Sequence, residues 1–353
     1  MFSVEMLPAE NGDCLWIEYG DPQNRKKVLI DAGPRNTFKV LKERFQRLPA
    51  QDKNFELFIM THYDNDHLDG ILGLKEKEPW PVEFKDVWFN GWRHIHKAPR
   101  DVLGPKEGET FTNVILSNKW PWNAALQGKV IVAKPNPRVP DETLEGGLKL
   151  WILSPLPANI VMLKKNWKDR LGKEGIVPGA GEKGPLPKDV LGEIKLGEKD
   201  VLRWAEQKFN PDGSPANGSS IAVLAEFEGK RALFSGDAFP GVLLKSIQRL
   251  TGSGKKLKLD LFKVSHHGSK GNINGKLLGT VDCPRYLIST NGDTHEHPNP
   301  QAIAMIVTLG DAPAHLYFNY RTDWNRMWDD SSLKQKLNYG TTYGQNGYLK
   351  VEL

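Results

Sequence analysis

Four side chains able to bind a metal fall within six residues, in the run His62-Tyr-Asp64-Asn-Asp66-His67. The run directly follows Phe55-Glu-Leu-Phe-Ile-Met60, an apolar stretch too short for a helix and read as a buried strand. On a loop leaving a strand, alternate side chains point the same way. His62 and Asp64 can therefore share one ion, and the turn that follows offers Asp66 and His67 to a second. Two cations about 4 Å apart need a bridging anion, and Asp237, closing the run Leu233-Phe-Ser-Gly-Asp237, is the candidate. His266 and His267, past a third strand end, supply further imidazole. A lone His-x-Asp in a loop is ordinarily an Asx-turn beside a surface histidine. Four ligands in six residues, echoed at two more strand ends, argue for metal instead.

Such residues need rigid elements behind them. Short β-prone runs at Val4–Leu7 and Leu15–Tyr19 flank an Asn-Gly-Asp turn signal at Asn11–Asp13, and Lys27-Val-Leu-Ile-Asp31 is a strand ending on a carboxylate. Phe38–Leu48 has helical spacing. Further strands are expected at Asp86–Phe89, Leu148–Leu153, Ser220–Phe227, Arg231–Phe234, Leu259–Val264 and Tyr286–Ser289, with a helix over about 242–250. Strand, polar loop, helix, strand recurs, with carboxylates and histidines at strand ends, which is an α/β pattern with chemistry at one sheet edge. Residues 157–215 are rich in Lys, Glu, Gly and Pro and too poor in apolar residues for a core of their own. They read as an insertion or cover, with helix expected at 166–173 and 201–209, in one domain spanning 1–353.

The motifs resemble the metallo-β-lactamase superfamily. The resemblance rests on Thr61-His-Tyr-Asp-Asn-Asp-His-Leu-Asp-Gly70, on Leu233–Asp237 and on Lys263-Val-Ser-His-His-Gly-Ser-Lys270. Within the superfamily the chain looks most like the hydrolase domain of ComEC-type DNA-uptake proteins and their stand-alone relatives. They share the Asp at the motif's second ligand position, Asn217-Gly-Ser-Ser220, His-His-Gly-Ser and a late His297-Pro298. The resemblance implies an αββα sandwich holding two divalent ions through His62, Asp64, Asp66, His67, Asp237 and His266. It implies an orienting role for Asp31. The family's metal-binding histidine between the first motif and the bridging aspartate has no counterpart. Asn217 stands roughly in its place, which leaves the first ion either weakly held or completed by water. With Asp64 added, the donor set is rich in oxygen and suits Mn²⁺ or Mg²⁺ as well as Zn²⁺.

The expected chemistry is hydrolysis of a phosphodiester by a water acidified between two cations. Asp66, His267 and His297 are the residues assigned to it. The leaving oxygen needs a donor, and either His297 or whichever of His266 and His267 is not a ligand could serve; the sequence leaves that choice open. His295 reads as a solvated loop residue. Residues 241–276 carry eight basic residues against one acidic, a stripe expected to abut the His-His-Gly-Ser loop and to attract a polyanion. Lys263, Ser269 and Lys270 are the expected substrate contacts, and DNA the expected substrate. Some stand-alone relatives resemble anti-phage effectors, which implies a regulatory protein partner.

Composition removes other classes. At 353 residues, 39% hydrophobic and 26% charged, the chain can bury a core and is not disordered by composition. Two cysteines exclude a disulfide scaffold and an all-cysteine zinc site. No run approaches the roughly 18 apolar residues of a membrane helix, and the first residues, MFSVEMLPAE, lack a basic signal region, so a cytoplasmic location is expected. The competing readings are a small-molecule ester or phosphodiester hydrolase and a degenerate scaffold that binds without cutting. His94 and His96 alternate as on a strand face and read as an exposed basic loop. The tryptophans at 80, 88, 92, 120 and 122 read as a core layer.

Overall fold

The computed structural model describes residues 1–73, 80–96, 106–171, 196–310 and 313–353. Two mixed sheets stack face to face. The first has six strands, ordered Leu349–Glu352, Phe2–Met6, Leu15–Asp21, Asn24–Ile30, Leu57–Ile59 and Val87–Trp88. The second has eight, with Tyr339–Tyr343, Ala314–Phe318, Arg285–Ile288, Leu261–Lys263 and Lys230–Phe234 running parallel. Ala222–Phe227, Lys149–Ser154 and Glu142–Thr143 then continue it antiparallel.

The period-two alternation of strand side chains builds three layers of core. Val223 and Ala225 join Ile17, Val28, Ile30, Leu57 and Ile59 between the sheets. Their neighbours Ala222 and Leu224 face outward, onto Leu243 and Ile247 of the helix Pro240–Thr251 and Ile303 and Ile306 of the helix Pro300–Leu309. On the other side Trp16, Leu29 and Phe58 meet Leu41 and Phe45 of the helix Thr37–Arg47. This is the αββα sandwich. The tryptophan-rich stretch is core: Trp80, Trp92, Trp120 and Trp122 are buried in that outer layer, and Trp88 is buried between the sheets.

Three expectations change. His94 and His96 lie on a helical turn, Trp92–His96, where the His94 ring meets Trp122 edge-on at 4.5 Å; packing on the indole overrides the two-residue alternation. In the 157–215 segment a helix spans Pro157–Leu171, beginning at a proline suited to a first turn. Another spans Glu198–Ala205. Ile160, Leu163 and Val201 are buried in the two outer core layers, so both ends of the segment belong to the body. Its middle, 172–195, lies outside the described residues. Among the described residues no helix is long and apolar enough to cross a membrane.

Candidate metal centre

The carboxyl ends of parallel strands from both sheets meet at one edge, the usual place for a site in such sheets. From the first sheet come Asp31, after Asn24–Ile30, and residues 60–68, after Leu57–Ile59. From the second come Asp237, after Lys230–Phe234, and His266 and His267, after Leu261–Lys263. The turns are tight. Gly236 sits at φ +48°, and a Cβ there would meet Ser220 Oγ at 2.4 Å. A Cβ on Gly12 would lie 1.8 Å from the Asp66 carbonyl. His266 and His267 are themselves left-handed, at φ +48° and +55°, a conformation that side-chain-bearing residues hold only where surroundings enforce it.

The two oxygens of Asp237 face two separate groups. Around Oδ2 stand His62 Nε2 at 3.7 Å and His266 Nε2 at 3.6 Å, with Asp64 Oδ2 3.5 Å from His62 Nε2. Around Oδ1 stand His67 Nε2 at 3.4 Å and His267 Nε2 at 3.9 Å, with Asp66 Oδ2 3.2 Å from His267 and 3.8 Å from His67. Ligands about 2.1 Å from a common ion in tetrahedral array stand about 3.4 Å apart, so each group matches one ion. His62 Nε2, His67 Nε2, His267 Nε2 and Asp237 Oδ1 are buried with no hydrogen-bond partner. Leaving such atoms unsatisfied costs about 1–3 kcal/mol each, and one cation in each group would together satisfy all four. The residues fit two divalent ions.

Each ring is held from behind through Nδ1, which aims Nε2 at the cluster. Asp31 Oδ2 accepts from His67 Nδ1 at 2.8 Å and from Thr61 Oγ1 at 2.8 Å. With its proton given to Asp31, the Thr61 hydroxyl accepts from His62 Nδ1 at 3.0 Å. His267 Nδ1 donates to the Ser289 carbonyl at 3.0 Å, and His266 Nδ1 to Asn272 Oδ1 at 2.9 Å.

Charge balance explains the titration. Burial raises the Asp237 carboxyl, but the positive charges of His266 and His67 outweigh it and hold the group well below the usual carboxylate range. Asp66 is depressed in the same way, against burial, by His67 and His267. The imidazoles respond in mirror image. Burial opposes their charge, yet Asp237, Asp66 and Asp31 raise His67 well above its ordinary value, and His267 is pushed up to about 9, chiefly by Asp13. Converging carboxylates demand positive charge, as protons or as metal.

Of the residues expected from sequence, His62, Asp64, Asp66, His67, Asp237 and His266 come together. His266 stands at the Asp237 oxygen where the family's missing histidine left a gap, so no solvent ligand need be invoked for it. His267, assigned to proton donation, points Nε2 at Asp237 and Asp66 and occupies a ligand position. His297 is buried, its ring 5.4 Å from that of His266. Burial and then the charges of His266 and His267 lower it to about 3. Asn217 turns its Nδ2 to Asp212 at 2.8 Å. Lys263 is not a substrate contact: it is fully buried, its Nζ 2.8 Å from Asp13 Oδ2, because the last residue of an inner strand points inward. Ser269 is also largely buried, its Oγ accepting from Gly271 N–H at 3.2 Å. Lys270 alone of the three is exposed.

Most of the exposed basic stripe leads away from the centre, Lys270 beside the His266–His267 loop being the exception. The helix Pro240–Thr251 starts beside Asp237 and leads away for about 18 Å at 1.5 Å per residue. Arg249, Lys255 and Lys258 therefore lie near its far end, before the chain returns along Leu261–Lys263.

Three residues escaped the sequence reading. Asp13, taken only as part of a turn signal, forms a buried group with His67, Asp237 and His267 whose candidate ligand atoms lie within 4.8 Å of one another. Asp212 and Asn272 stand behind His266. None lies in a local sequence motif of metal-binding residues, and only the folded chain brings them there.

Residues 7–289 match the family model described as the metallo-beta-lactamase superfamily. ComE operon protein 3 of Bacillus subtilis (strain 168) is 24% identical over 153 residues, covering 41% of this chain and 18% of that protein. The chain thus spans less than a fifth of the curated relative it matches. Similar solved structures include Zn²⁺-bound PqqB from Methylobacterium extorquens, at 12% identity and TM-score 0.40 with all of both chains covered. A diphosphatase of the PhnP family has 12% identity and TM-score 0.39, over 99% of this chain and 98% of that one.

Proposed function

Because the chain belongs to the metallo-β-lactamase superfamily, whose members are generally metal-dependent hydrolases, we propose that it hydrolyses phosphodiesters with two divalent ions, and that DNA is its substrate. The observation that carries this reading is Asp237, whose two oxygens each face a separate His₂Asp group. Two bound ions would acidify a water between them and neutralise charge on a phosphoryl oxygen. The chain's own residues do the rest. Asp237 spans the two groups, and Asp31 sets the tautomers of His62 and His67. Asp64 and Asp66, with side chains 37% and 21% exposed, mark the side from which substrate enters. His297, its ring 5.4 Å from that of His266, is placed to hydrogen-bond a substrate or leaving oxygen. Nitrogen and oxygen donors in equal number suit Mn²⁺ and Zn²⁺, with Mg²⁺ an alternative.

Most of the lysine-rich surface lies away from the centre, and this favours a second reading, hydrolysis of a short or small phosphodiester. Purified protein incubated with linear DNA, circular DNA and bis(4-nitrophenyl) phosphate in Mn²⁺, Mg²⁺ or Zn²⁺ separates the two. DNA cleavage lost in Asp66→Ala supports the nuclease. Turnover of the small diester alone supports the second reading, and no turnover with both ions bound would overturn hydrolysis by the isolated chain. The anti-phage resemblance brings a regulatory protein partner into the proposal, tested by whether cleavage needs cell extract.

A further inference from the structure

We infer that Asp212, on the strap that leads out of the 157–215 segment, is a positioning residue that fixes His266 for the ion at Asp237 Oδ2 through a relay by way of Asn272. The inference rests on the two-ion reading above. It follows from donor and acceptor arithmetic. An ionised carboxylate only accepts hydrogen bonds, whereas an amide has one accepting and one donating end. Asp212 Oδ2 lies 2.9 Å from Asn272 Nδ2, so the donating end of Asn272 turns toward it. Asn272 Nδ2 also donates to the Asp237 carbonyl at 3.1 Å. The accepting end, Oδ1, is thereby turned to His266 Nδ1 at 2.9 Å. The shorter contact, to Asn272 Oδ1 and not to Asn217 Nδ2 at 3.4 Å, puts the His266 proton on Nδ1 and leaves the Nε2 lone pair facing Asp237.

Asp212 is itself pinned. Its Oδ1 accepts from Ser214 N–H at 2.8 Å, its Oδ2 also accepts from Asn217 Nδ2 at 2.8 Å, and its backbone N–H donates to the Gly271 carbonyl at 3.1 Å. That last bond ties the strap to the loop bearing His266. Oδ2 also lies 3.6 Å from His266 Nδ1, adding direct electrostatic support for an Nδ1 proton. The other group is held independently, His67 by Asp31 and His267 by the Ser289 carbonyl. A change at Asp212 should therefore reach one ion and spare the other. A residue that merely stabilised the fold would affect both.

The test is a titration of the metal-free protein with Mn²⁺ in competition with a chromophoric chelator. Wild type should bind two ions; fewer would overturn the two-ion reading and this inference with it. Asp212→Asn removes one of the two acceptors that orient Asn272, leaving only the Asp237 carbonyl, and removes the charge 3.6 Å from His266 Nδ1. It should weaken one Mn²⁺ site by about 10–100-fold and leave the other within twofold. Adding Asn272→Asp puts an acceptor-only group directly on His266 and should restore the lost site to within about threefold. Two sites unchanged in Asp212→Asn, two weakened together, or no rescue in the double variant would each overturn the relay. If circular dichroism shows Asp212→Asn unfolded, Asn272→Ala replaces it. That variant keeps the Asp212 bonds to Asn217 and Ser214, and it should lose the same single ion; retention of both would overturn the inference.

Discussion

Asp31 carries the most consequence of any single side chain outside the ligands. One oxygen orients His67 directly and His62 through Thr61, and those rings face opposite oxygens of Asp237. Asp31→Asn should therefore weaken both ions, by about 10–100-fold each, as read in the same chelator competition that isolates one ion for Asp212. Protonation works at this scale too. The folded metal-free protein holds His267 at about 9, above its ordinary value near 6.5. A raised pKa contributes stability fully below the unfolded value and loses it as pH climbs through the folded one. Metal needs the same ring neutral, so protons compete with it. The rise in Tm on adding metal should accordingly grow from pH 6 to pH 9, measured against chelator-treated protein, and a flat or shrinking rise would contradict the ligand role of His267. The candidate cluster was legible because six of its seven residues lie in dense local motifs, although the sequence left open which of His266 and His267 is the ligand. The groups that orient them were only partly so. Asp31 could be found at a strand end, whereas Asp212 and Asn272 come from a loop and strap with no motif to mark them.

Strands could be read from sequence wherever apolar residues alternate or run together between turns, as at Ala222–Phe227 and Lys230–Phe234, because half-buried and buried strands must carry that pattern. The direction in which an element leads its charges could not. The helix Pro240–Thr251 shows its apolar stripe plainly in Val242, Leu243 and Ile247, but its sequence does not say that it departs from Asp237 rather than approaching it. Adding up the basic residues of 241–276 therefore merged Lys270, which lies beside the centre, with residues at the far end of the helix. If nucleic acid binds, the element geometry predicts a split. Lys255→Glu with Lys258→Glu should leave both DNA affinity and its salt dependence at the centre unchanged. Lys270→Ala, beside the His266–His267 loop, should weaken DNA binding and reduce the log–log salt slope by about 0.9, the share of one phosphate contact. Fluorescence anisotropy with a catalytically silent Asp66→Ala background checks both. A larger loss from the distant pair would place the DNA track along the helix instead.

Across the whole molecule, the site is a joint between the two sheets. Ligands from the first sheet meet ligands from the second, and a buried ion pair reinforces the seam at the same place. Asp13 hangs from the turn between Phe2–Met6 and Leu15–Asp21, and Lys263 ends an inner strand of the other sheet. The pair is isolated from water on both sides, and Asp13 Oδ1 lies 3.4 Å from His267 Nδ1. Removing one member of a buried pair leaves an uncompensated charge and costs about 3–5 kcal/mol, whereas replacing both with packed apolar groups can be close to neutral. Lys263→Met alone should thus lower the stability of the metal-free protein by about that amount in urea unfolding. Asp13→Leu combined with Lys263→Met should cost less than either single change, a positive coupling that a double-mutant cycle reads directly. Because Asp13 also leans on His267, the double variant should recover its fold without recovering full affinity for the ion at Asp237 Oδ1. Stability and metal binding would then separate, which is the behaviour expected when one carboxylate serves both the seam between the sheets and the centre built on it.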